Sequence, residues 1–380
     1  MRVWRAQPAH QLADTQATHA RGPHLRQANG PNPGVGINAL ALTVDGSGVQ
    51  TYIRELLGGL ARLGAGPALH VRVQGEVAAQ LPPQATVERR RGSAGARRLL
   101  QGLAPFPGAV MVHGLDVDLP LQRGVPMVCT VHDLSVYDTP WAFARGRSRI
   151  EQRLLDRSMR RADAVIAVSH FTAERIHRRY GRTATVVHLA PAPDMRVPDS
   201  EAVVALRARL ALPDTFVLQL ATVEPRKDTA LLAAACRAAS VPLVLAGAVR
   251  GPVPAGVRTL GYVPRTDVPT LYAAATVVAY ISSYEGFGLP PVEAMACGAP
   301  VVATRVGALP ELPDWSDTLV GPTDLVGLTA RLRLLLRDTP ARDALAERGR
   351  RVARALDWDD TARRTLAVWR SVGCDAGIEP

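Results

Sequence analysis

One pair of cations in this chain has the residue types that hold a phosphate group. Lys227 is the only lysine in a sequence with forty-four arginines, and it directly follows Arg226. Lysine offers a compact ammonium on a flexible stem and arginine offers a planar fork of donors, so the two are not interchangeable. Their position after a strand-like run at residues 216–220 suits a diphosphate held from two sides. Survival of one lysine by chance is the alternative interpretation.

A second stretch, residues 282–300, carries two carboxylates beside a glycine-rich loop. Glu285 lies next to Gly286 and Gly288, and a short proline-led helix follows. Glycines before a helix N-terminus let backbone amides reach a phosphate, with help from the helix dipole. Glu293 falls among apolar residues of that helix, where a buried carboxylate is costly unless it is hydrogen-bonded. A ribose diol would satisfy it, and a carboxylate that caps the helix is the alternative.

The elements that would position these residues alternate between strands and helices. In the first half, a strand at 36–42 precedes a glycine-rich turn at 45–49 and an amphipathic helix at 50–63. Four apolar runs follow, at 109–112, 125–131, 162–168 and 184–187. The second half has five strand-like runs, at 216–221, 241–246, 257–262, 276–281 and 299–303. Three helical segments lie between them, at 229–239, 267–275 and 290–297. This alternation predicts an α/β protein with two Rossmann-like, doubly wound, mostly parallel sheets facing each other across a cleft.

Composition predicts where these domains begin and end. Residues 1–33 are polar with no hydrophobic period, so we expect a disordered extension. The first domain is expected over 34–190, and a linker rich in proline and aspartate over 191–212. The second domain is expected over 213–350, and a final helix over 351–370.

The positive charge is concentrated in the first half. Residues 1–190 hold 24 arginines against 13 acidic residues, which gives the whole net charge of +11, because residues 191–380 hold 21 of each sign. One set of arginines has the four-residue spacing of a helix face and another surrounds a Gly-Ser turn: Arg149, Arg153, Arg157 and Arg161, and Arg89, Arg90, Arg91, Arg97 and Arg98. An anionic membrane surface or an anionic acceptor would be attracted, and a solvated basic face is the alternative. Nucleic acid is not expected, because aromatic residues are 4% of the chain and none alternates with these arginines.

Targeting signals and cysteine usage indicate the compartment. The first residues lack the apolar run of a signal peptide and no stretch has the length of a membrane span, so we expect a cytoplasmic protein, with the inner face of the membrane as a peripheral site. The cysteines are far apart and are expected to be small buried hydrophobes rather than a zinc site or a disulfide framework: Cys129, Cys236, Cys297 and Cys374.

Taken together, the motifs resemble the GT-B-fold, retaining glycosyltransferases with a Glu-x7-Glu signature, here Glu285 to Glu293. The resemblance is to glycosyltransferase family 4, the group 1 glycosyl transferases, in its mannosyltransferase-like form, and covers about residues 34–370. The other motifs stand in the family's order: Thr130-Val131-His132-Asp133-Leu134, Val165-Ile166-Ala167-Val168-Ser169, Glu224-Pro225-Arg226-Lys227, the Gly-Phe-Gly-Leu-Pro-Pro loop at 286–291, and Gly-Ala-Pro-Val-Val-Ala at 298–303.

The resemblance implies a role for each charged residue of the site. Arg226 and Lys227 would hold the diphosphate of a nucleotide-sugar donor and neutralise the charge that grows as the glycosidic bond breaks. Glu285 would contact the donor sugar hydroxyls, and Glu293 would take the ribose hydroxyls. His132 would face the donor sugar near the reacting centre.

It also implies roles for the loops. The segment of Gly286, Phe287, Gly288 and Leu289 would bind the donor through its backbone amides. In the first domain, the pair Gly46 and Gly48 would let a loop approach the donor phosphates or the acceptor.

The resemblance further implies a mechanism and a hinge. Transfer of a mannose- or glucose-type hexose to a polysaccharide, glycolipid or other glycan would retain the anomeric configuration by front-face attack, so Glu285 is not assigned as a nucleophile. No metal cofactor would be needed. The final helix, with Trp358 and Trp369, would cross back to the first domain, and the two domains would close on the donor.

The sequence departs from the family pattern in three places. The first-domain loop reads Asp45-Gly46-Ser47-Gly48 where relatives carry adjacent glycines. The turn expected after His188 is replaced by residues 189–194, and residues 312–317 also differ. These departures affect the expected hinge and local packing more than the charged residues.

Other interpretations stay open. The Asp116-Val117-Asp118 spacing occurs in metal sites of another glycosyltransferase fold, although it is short. His113 is expected to be a core or cleft histidine rather than a ligand. A sugar-nucleotide epimerase on the same fold would need acid and base groups that the sequence does not show. A membrane-associated subunit that binds nucleotide-sugar without transferring it is the non-enzymatic alternative.

Overall fold

The computed structural model describes residues 34–43, 48–64, 66–91, 100–143 and 145–374. The predictions for residues 1–33, Gly46, Arg97 and Arg98 lie outside these ranges. Within the described residues, no helix is long and apolar enough to cross a membrane.

The first half of the chain forms a seven-stranded parallel sheet in the order β3-β2-β1-β4-β5-β6-β7. Its strands are β1 Gly34–Asn38, β2 Ala68–Gln74, β3 Thr86–Arg90, β4 Met111–Gly114, β5 Met127–Val131, β6 Ala164–Ala167 and β7 Thr185–Val186. Its helices are α1 Gly48–Leu63, α2 Ser135–Asp138, α3 Arg145–Arg161 and α4 His170–Tyr180. The central strands β1, β4 and β5 are buried at every position, because helices cover both faces of a parallel sheet.

The second half forms a five-stranded parallel sheet in the order β10-β9-β8-β11-β12. Its strands are β8 Val217–Leu220, β9 Leu243–Ala246, β10 Arg258–Thr259, β11 Val277–Tyr280 and β12 Val301–Ala303. The helices after the first sheet are α5 Ser200–Arg209, α6 Thr229–Ala238, α7 Val268–Ala274, α8 Leu289–Ala296, α9 Leu325–Arg337, α10 Thr339–Arg354 and α11 Trp358–Ser371. The predicted α/β fold with two parallel, doubly wound sheets is confirmed.

In each sheet, the strand order reverses at one point and opens a crevice at the carboxyl ends of the strands. In the first sheet the reversal lies between β1 and β4, and in the second between β8 and β11. Ligands of doubly wound proteins bind at such points. The segments after β1, β4, β8 and β11 therefore lie where chemistry is expected, and β5 is the next strand beside β4.

Some predicted elements differ in extent from the observed ones. The strand predicted at 257–262 is only two residues long, because Gly261 turns with φ of 67° and Pro264 has no amide to continue a ladder. The strand predicted at 36–42 ends at Asn38, whose side chain donates to the backbone oxygen of Asp118 at 2.9 Å.

The segment predicted as a linker, 191–212, contains helix α5. This helix packs on α7 of the second half, and Arg207 donates to the backbone oxygen of Ala274 at 2.7 Å. Half of the predicted linker is therefore an ordinary part of the second half.

The last helix, α11, packs on α1 of the first half although it follows the second half in sequence. Its Trp358 indole donates to the backbone oxygen of Pro191 at 3.1 Å, and Thr361 donates to that of His188 at 2.8 Å. Gly59 of α1 allows the close approach, because a Cβ there would lie 2.9 Å from the Trp358 oxygen.

The arginine stripe predicted on one face of α3 is divided by the structure. Arg149 and Arg153 are exposed. Arg157, in contrast, donates to the backbone oxygens of Leu119 at 2.5 Å and Pro120 at 2.9 Å, and Arg161 donates to that of Gln122. Of these four arginines, Arg149 and Arg153 therefore remain on the solvated face of α3, where an external partner can reach them.

Candidate active site

Arg226 and Lys227 lie in a tight turn directly after the switch-point strand β8. The turn is a single 3-10 helix, Pro225–Lys227, and the proline in its first position fixes φ. Gln219 of β8 holds the turn, because its amide donates to the Lys227 backbone oxygen at 3.0 Å. The backbone that carries the two cations is therefore fixed to β8, at the carboxyl end of the second sheet, rather than to a free loop.

Glu285 brings both cations together. Its Oε1 lies 2.5 Å from Lys227 Nζ and 3.2 Å from Arg226 Nη1. The Ser282 hydroxyl donates to the same oxygen at 2.7 Å, and Tyr280 contacts the ammonium through its hydroxyl. Sequence reasoning named the three charged residues but missed Tyr280 and Ser282, whose only signal is their position at and just after the end of β11.

The charges of this cluster decide its protonation. Burial alone would raise the pKa of Glu285, but the charges of Lys227 and Arg226 outweigh it and lower that pKa to about 2. Burial also lowers the pKa of Lys227 from its ordinary value, while the Glu285 charge opposes that shift. Glu285 is thus ionised at neutral pH and has no proton to give, and it acts as a counter-charge for two cations.

The loop after Glu285 lies between the two halves of the chain. A Cβ at Gly286 would lie 1.8 Å from the backbone oxygen of His132, so no other residue fits there without moving the halves. The Ser169 hydroxyl donates to the Gly286 backbone oxygen at 2.7 Å. Gly288 has φ of 91° and caps helix α8, where Leu289 is the first residue. The loop predicted to bind the donor therefore contacts first-half residues at the helix N-terminus.

Glu293 lies on α8 and is 8% exposed. Its charged neighbours differ from those of Glu285. Burial raises the pKa of Glu293 to about 7, against the opposing charge of Arg265, and the neighbouring charges include Asp194 and Arg54. Within the described part of the chain, its carboxylate has no hydrogen-bond partner. It is the fifth residue of α8 and makes no cap hydrogen bond, so the capping alternative is wrong.

His132 follows β5 and reaches the same region from the first half. Its Nε2 lies 3.0 Å from the Leu115 backbone oxygen, and its ring stands edge-on to Tyr52 with 4.8 Å between centroids. A carbonyl oxygen only accepts, so Nε2 carries the proton and, in the neutral ring, Nδ1 is the acceptor. The structure thus brings His132 beside the loop that carries Glu285.

The two remaining predicted positions behave differently. Gly48 is the first residue of α1 and is exposed, with nothing within 4 Å of a Cβ placed there. It is therefore not brought into contact with the Glu285 cluster. Its predicted partner, Gly46, lies outside the described residues.

The aspartates of the Asp-x-Asp spacing do not belong to a convergent ligand group. Within the described ranges, the one group of three potential metal-ligating side chains is His170, His188 and Glu311. There Glu311 of the second half accepts from the backbone amides of His170 at 2.8 Å and Phe171 at 2.7 Å, so it caps α4 from the opposite half. Sequence reasoning missed this contact, because a glutamate in a loop has no pattern that points to a distant helix.

Comparison with known proteins was made on both halves. Residues 208–352 match the family model "Glycosyl transferases group 1", and residues 46–192 match "Glycosyltransferase Family 4". The O-antigen chain mannosyltransferase B of Escherichia coli is 32% identical over 68% of this chain and 73% of its own length. The chain belongs to the group 1 glycosyltransferases. The membership predicted from the motifs is confirmed, and so is hexosyltransferase activity as its class.

Two further relatives bear on this glycosyltransferase. A D-inositol 3-phosphate glycosyltransferase of Xylanimonas cellulosilytica is 32% identical over 64% of this chain and 66% of its own length. The structure of HepE from Anabaena in complex with UDP and glucose superposes with a TM-score of 0.70, covers 89% of this chain and 100% of its own, and is 19% identical. At that identity the likeness concerns the fold, and the GT-B architecture is confirmed.

Proposed function

We propose that this glycosyltransferase moves a mannose- or glucose-type hexose from a nucleotide-diphosphate sugar to a glycan or lipid-linked acceptor, with retention and without a divalent metal. The observation that carries the proposal is the convergence of Arg226, Lys227 and Glu285 at the switch point of the second sheet. A diphosphate entering this crevice meets two cations already held in position, Lys227 buried and Arg226 partly buried.

The two cations would supply the electrostatic work of the reaction. As the bond between the anomeric carbon and the donor phosphate breaks, negative charge grows on the leaving diphosphate. Arg226 and Lys227 would stabilise that charge, and fixed charges in a water-poor site are worth more than in bulk water. Lys227 is 5% exposed, which meets this condition.

Retention fits the protonation of Glu285. With a pKa near 2, and with two hydrogen-bond donors and the Arg226 ion pair on one oxygen, Glu285 is neither a proton donor nor an unencumbered nucleophile. In front-face transfer, the acceptor oxygen bonds to the anomeric carbon on the face that the phosphate leaves, and the acceptor proton passes to a phosphate oxygen. No side-chain nucleophile is needed, and Glu285 would orient the sugar through its hydroxyls.

His132 and Glu293 would hold opposite ends of the donor. Nδ1 of His132 would accept a hydrogen bond from a hydroxyl of the hexose. The unpartnered carboxylate of Glu293 would accept from the two ribose hydroxyls, which removes the cost of leaving it unbonded. Support for a hexose donor comes from the mannosyltransferase relative and from the HepE complex with UDP and glucose.

An anionic membrane surface is the proposed second partner. Arg149 and Arg153 of α3 are exposed, and two large apolar side chains are exposed nearby in sequence: Trp141 at 60% and Ile150 at 46%. Basic residues next to an exposed tryptophan are typical of segments that lie in a lipid headgroup region.

The test is donor binding and slow donor hydrolysis across UDP-, GDP- and ADP-sugars in EDTA. Wild type is compared with Lys227→Met, Glu293→Gln and a control, Arg237→Met, which removes an exposed cation from the last turn of α6. We expect one sugar nucleotide to bind, with affinity about ten- to a hundredfold weaker in the first two variants and unchanged in the control.

The other outcomes separate the alternatives. Binding without hydrolysis or transfer to any glycan acceptor would favour the non-transferring subunit. Conversion of the donor to its epimer would favour the epimerase. Affinity indifferent to both Lys227 and Glu293 would overturn the proposed donor site.

A further inference from the structure

A chain of buried hydrogen bonds connects the last helix to the neighbourhood of His132. The Trp369 indole nitrogen of α11 lies 3.1 Å from His113 Nδ1, and His113 Nε2 lies 2.9 Å from the Thr130 hydroxyl. The Tyr52 hydroxyl lies 2.8 Å from the same Thr130 oxygen. All four side chains are 0–1% exposed.

The hydrogen bond from Trp369 to His113 decides which nitrogen of His113 carries the proton that faces Thr130. An indole nitrogen only donates, so His113 Nδ1 must be the acceptor and, in the neutral ring, the proton sits on Nε2 and is donated to Thr130. Burial, helped by the charge of His132, lowers the pKa of His113 to about 3, so the ring stays neutral at working pH. Trp369 therefore selects one tautomer of a histidine on β4.

The far end of the chain supports His132. Thr130 lies on β5, two residues before His132, and it holds the hydroxyl of Tyr52. The Tyr52 ring meets the His132 ring edge-on at 4.8 Å and 79°. Because Tyr52 is clamped at its hydroxyl, its ring is a fixed wall for His132, whose other restraint is the Leu115 carbonyl.

We propose that Trp369, His113, Thr130 and Tyr52 position His132 for the donor sugar, so that the C-terminal helix is a working part of the active site. The proposal rests on the proposed function, since His132 acts there on the hexose. These four side chains contact no substrate and act through His132, as positioning residues. Their loss would lower turnover more than it weakens donor binding, since the diphosphate is held elsewhere by Arg226 and Lys227.

The test uses the full chain with three variants. Trp369→Phe removes the indole donor, and Tyr52→Phe removes the hydroxyl while keeping the ring. Thr361→Val is the control, because it removes another buried polar group of α11, whose partner is the His188 backbone oxygen rather than His113. Thermal unfolding of all three identifies any loss of helix docking. Imidazole ¹⁵N–¹H spectra report the tautomer of His113, assigned with His113→Gln, and the ring environment of His132.

We expect Trp369→Phe to mix the His113 tautomers, and both Trp369→Phe and Tyr52→Phe to shift the His132 ring resonances. We expect kcat to fall about tenfold in both with donor KM within about twofold, and neither effect in Thr361→Val. His132 resonances that do not move in either test variant, or equal losses of kcat in Trp369→Phe and Thr361→Val, would overturn the proposal. If wild type transferred no sugar at all, the proposed function would fail, yet the spectra would still decide whether the chain positions His132.

Discussion

At the scale of single residues, Glu293 carries the clearest dependence on pH. Its folded-state pKa of about 7 lies above its ordinary value of 4.5, because burial outweighs the charge of Arg265. Arg54, Glu55 and Asp194 are the other charged groups that face it. The proton therefore leaves this carboxylate within the range in which the enzyme would work.

We predict that donor affinity rises as pH increases from 6 to 8, because only the ionised carboxylate accepts from both ribose hydroxyls. Calorimetric titration of wild type with the donor over this range measures the effect. Glu293→Gln should bind weakly with no such rise. A rise of equal size in the variant would show that another group titrates.

The same shift makes a prediction for stability. A carboxylate whose pKa is raised by folding favours the folded state below pH 4.5, and this contribution is lost as pH rises to 7. Its full size is on the order of 3 kcal/mol. Urea unfolding should show Glu293→Gln gaining stability relative to wild type between pH 5 and 8. The exposed Glu201→Gln on α5 is the control and should show no trend.

Residue identity allowed the sequence to single out the charged residues of the candidate site, but not the side chains that hold them. The charged residues stand in motifs, and their side-chain types indicate their chemistry: Arg226, Lys227, Glu285 and Glu293. Tyr280 and Ser282, which bond to Lys227 and Glu285, resemble any strand-end residues until the fold brings them together. Contacts made by common residue types across long sequence separations have no local signal.

At the scale of elements, helix α4 is capped by residues from both halves. Ser169 accepts from the Thr172 amide at 3.0 Å, and Glu311 accepts from the two amides before it. Burial opposes ionisation of Glu311, but hydrogen bonds from His188 and these amides lower its pKa below the ordinary value. A carboxylate at a helix N-terminus also complements the helix dipole.

We predict that Glu311→Gln lowers the free energy of unfolding by about 1–2 kcal/mol at pH 7, because a charge-assisted cap is lost. The contribution is present above pH 4.5 and is lost as pH falls through the lowered pKa, so variant and wild type should converge in acid. Urea denaturation at pH 7 and pH 3 measures both values, with the exposed Asp343→Asn within α10 as control. A difference that does not change between these two pH values would contradict an ionic cap.

Periodicity predicted most elements of the sheets but not their ends. Strands β8, β9, β11 and β12 lie inside the predicted runs, because buried parallel strands are continuous apolar segments. Strand β10 and helix α5 were misjudged, since a turn at Gly261 and the docking of Arg207 are decided by tertiary contacts.

At the scale of the whole molecule, the positive charge of the first half leads us to expect that an anionic membrane binds at α3. Arg149 and Arg153 face solvent, whereas Arg157 and Arg161 are used to hold backbone carbonyls. We predict that Arg149→Glu/Arg153→Glu weakens binding to vesicles with anionic lipid several-fold, since each basic residue near such a surface is worth about 1 kcal/mol.

Vesicle sedimentation with and without anionic lipid measures this binding. Arg237→Glu/Arg337→Glu is the control for the change in charge, because both arginines are exposed, on α6 and α9 of the second half. Equal losses in both double variants would indicate attraction by net charge alone and would contradict a defined membrane face.

The solitary lysine has a practical consequence. A protein with one ε-amine can be labelled by reductive ¹³C-methylation at a single side chain, and here that side chain is the buried partner of Glu285. Burial lowers its pKa, which increases the fraction of reactive free amine. The labelling rate would report how often the crevice opens, and protection by each nucleotide-sugar would identify the donor without any knowledge of the acceptor.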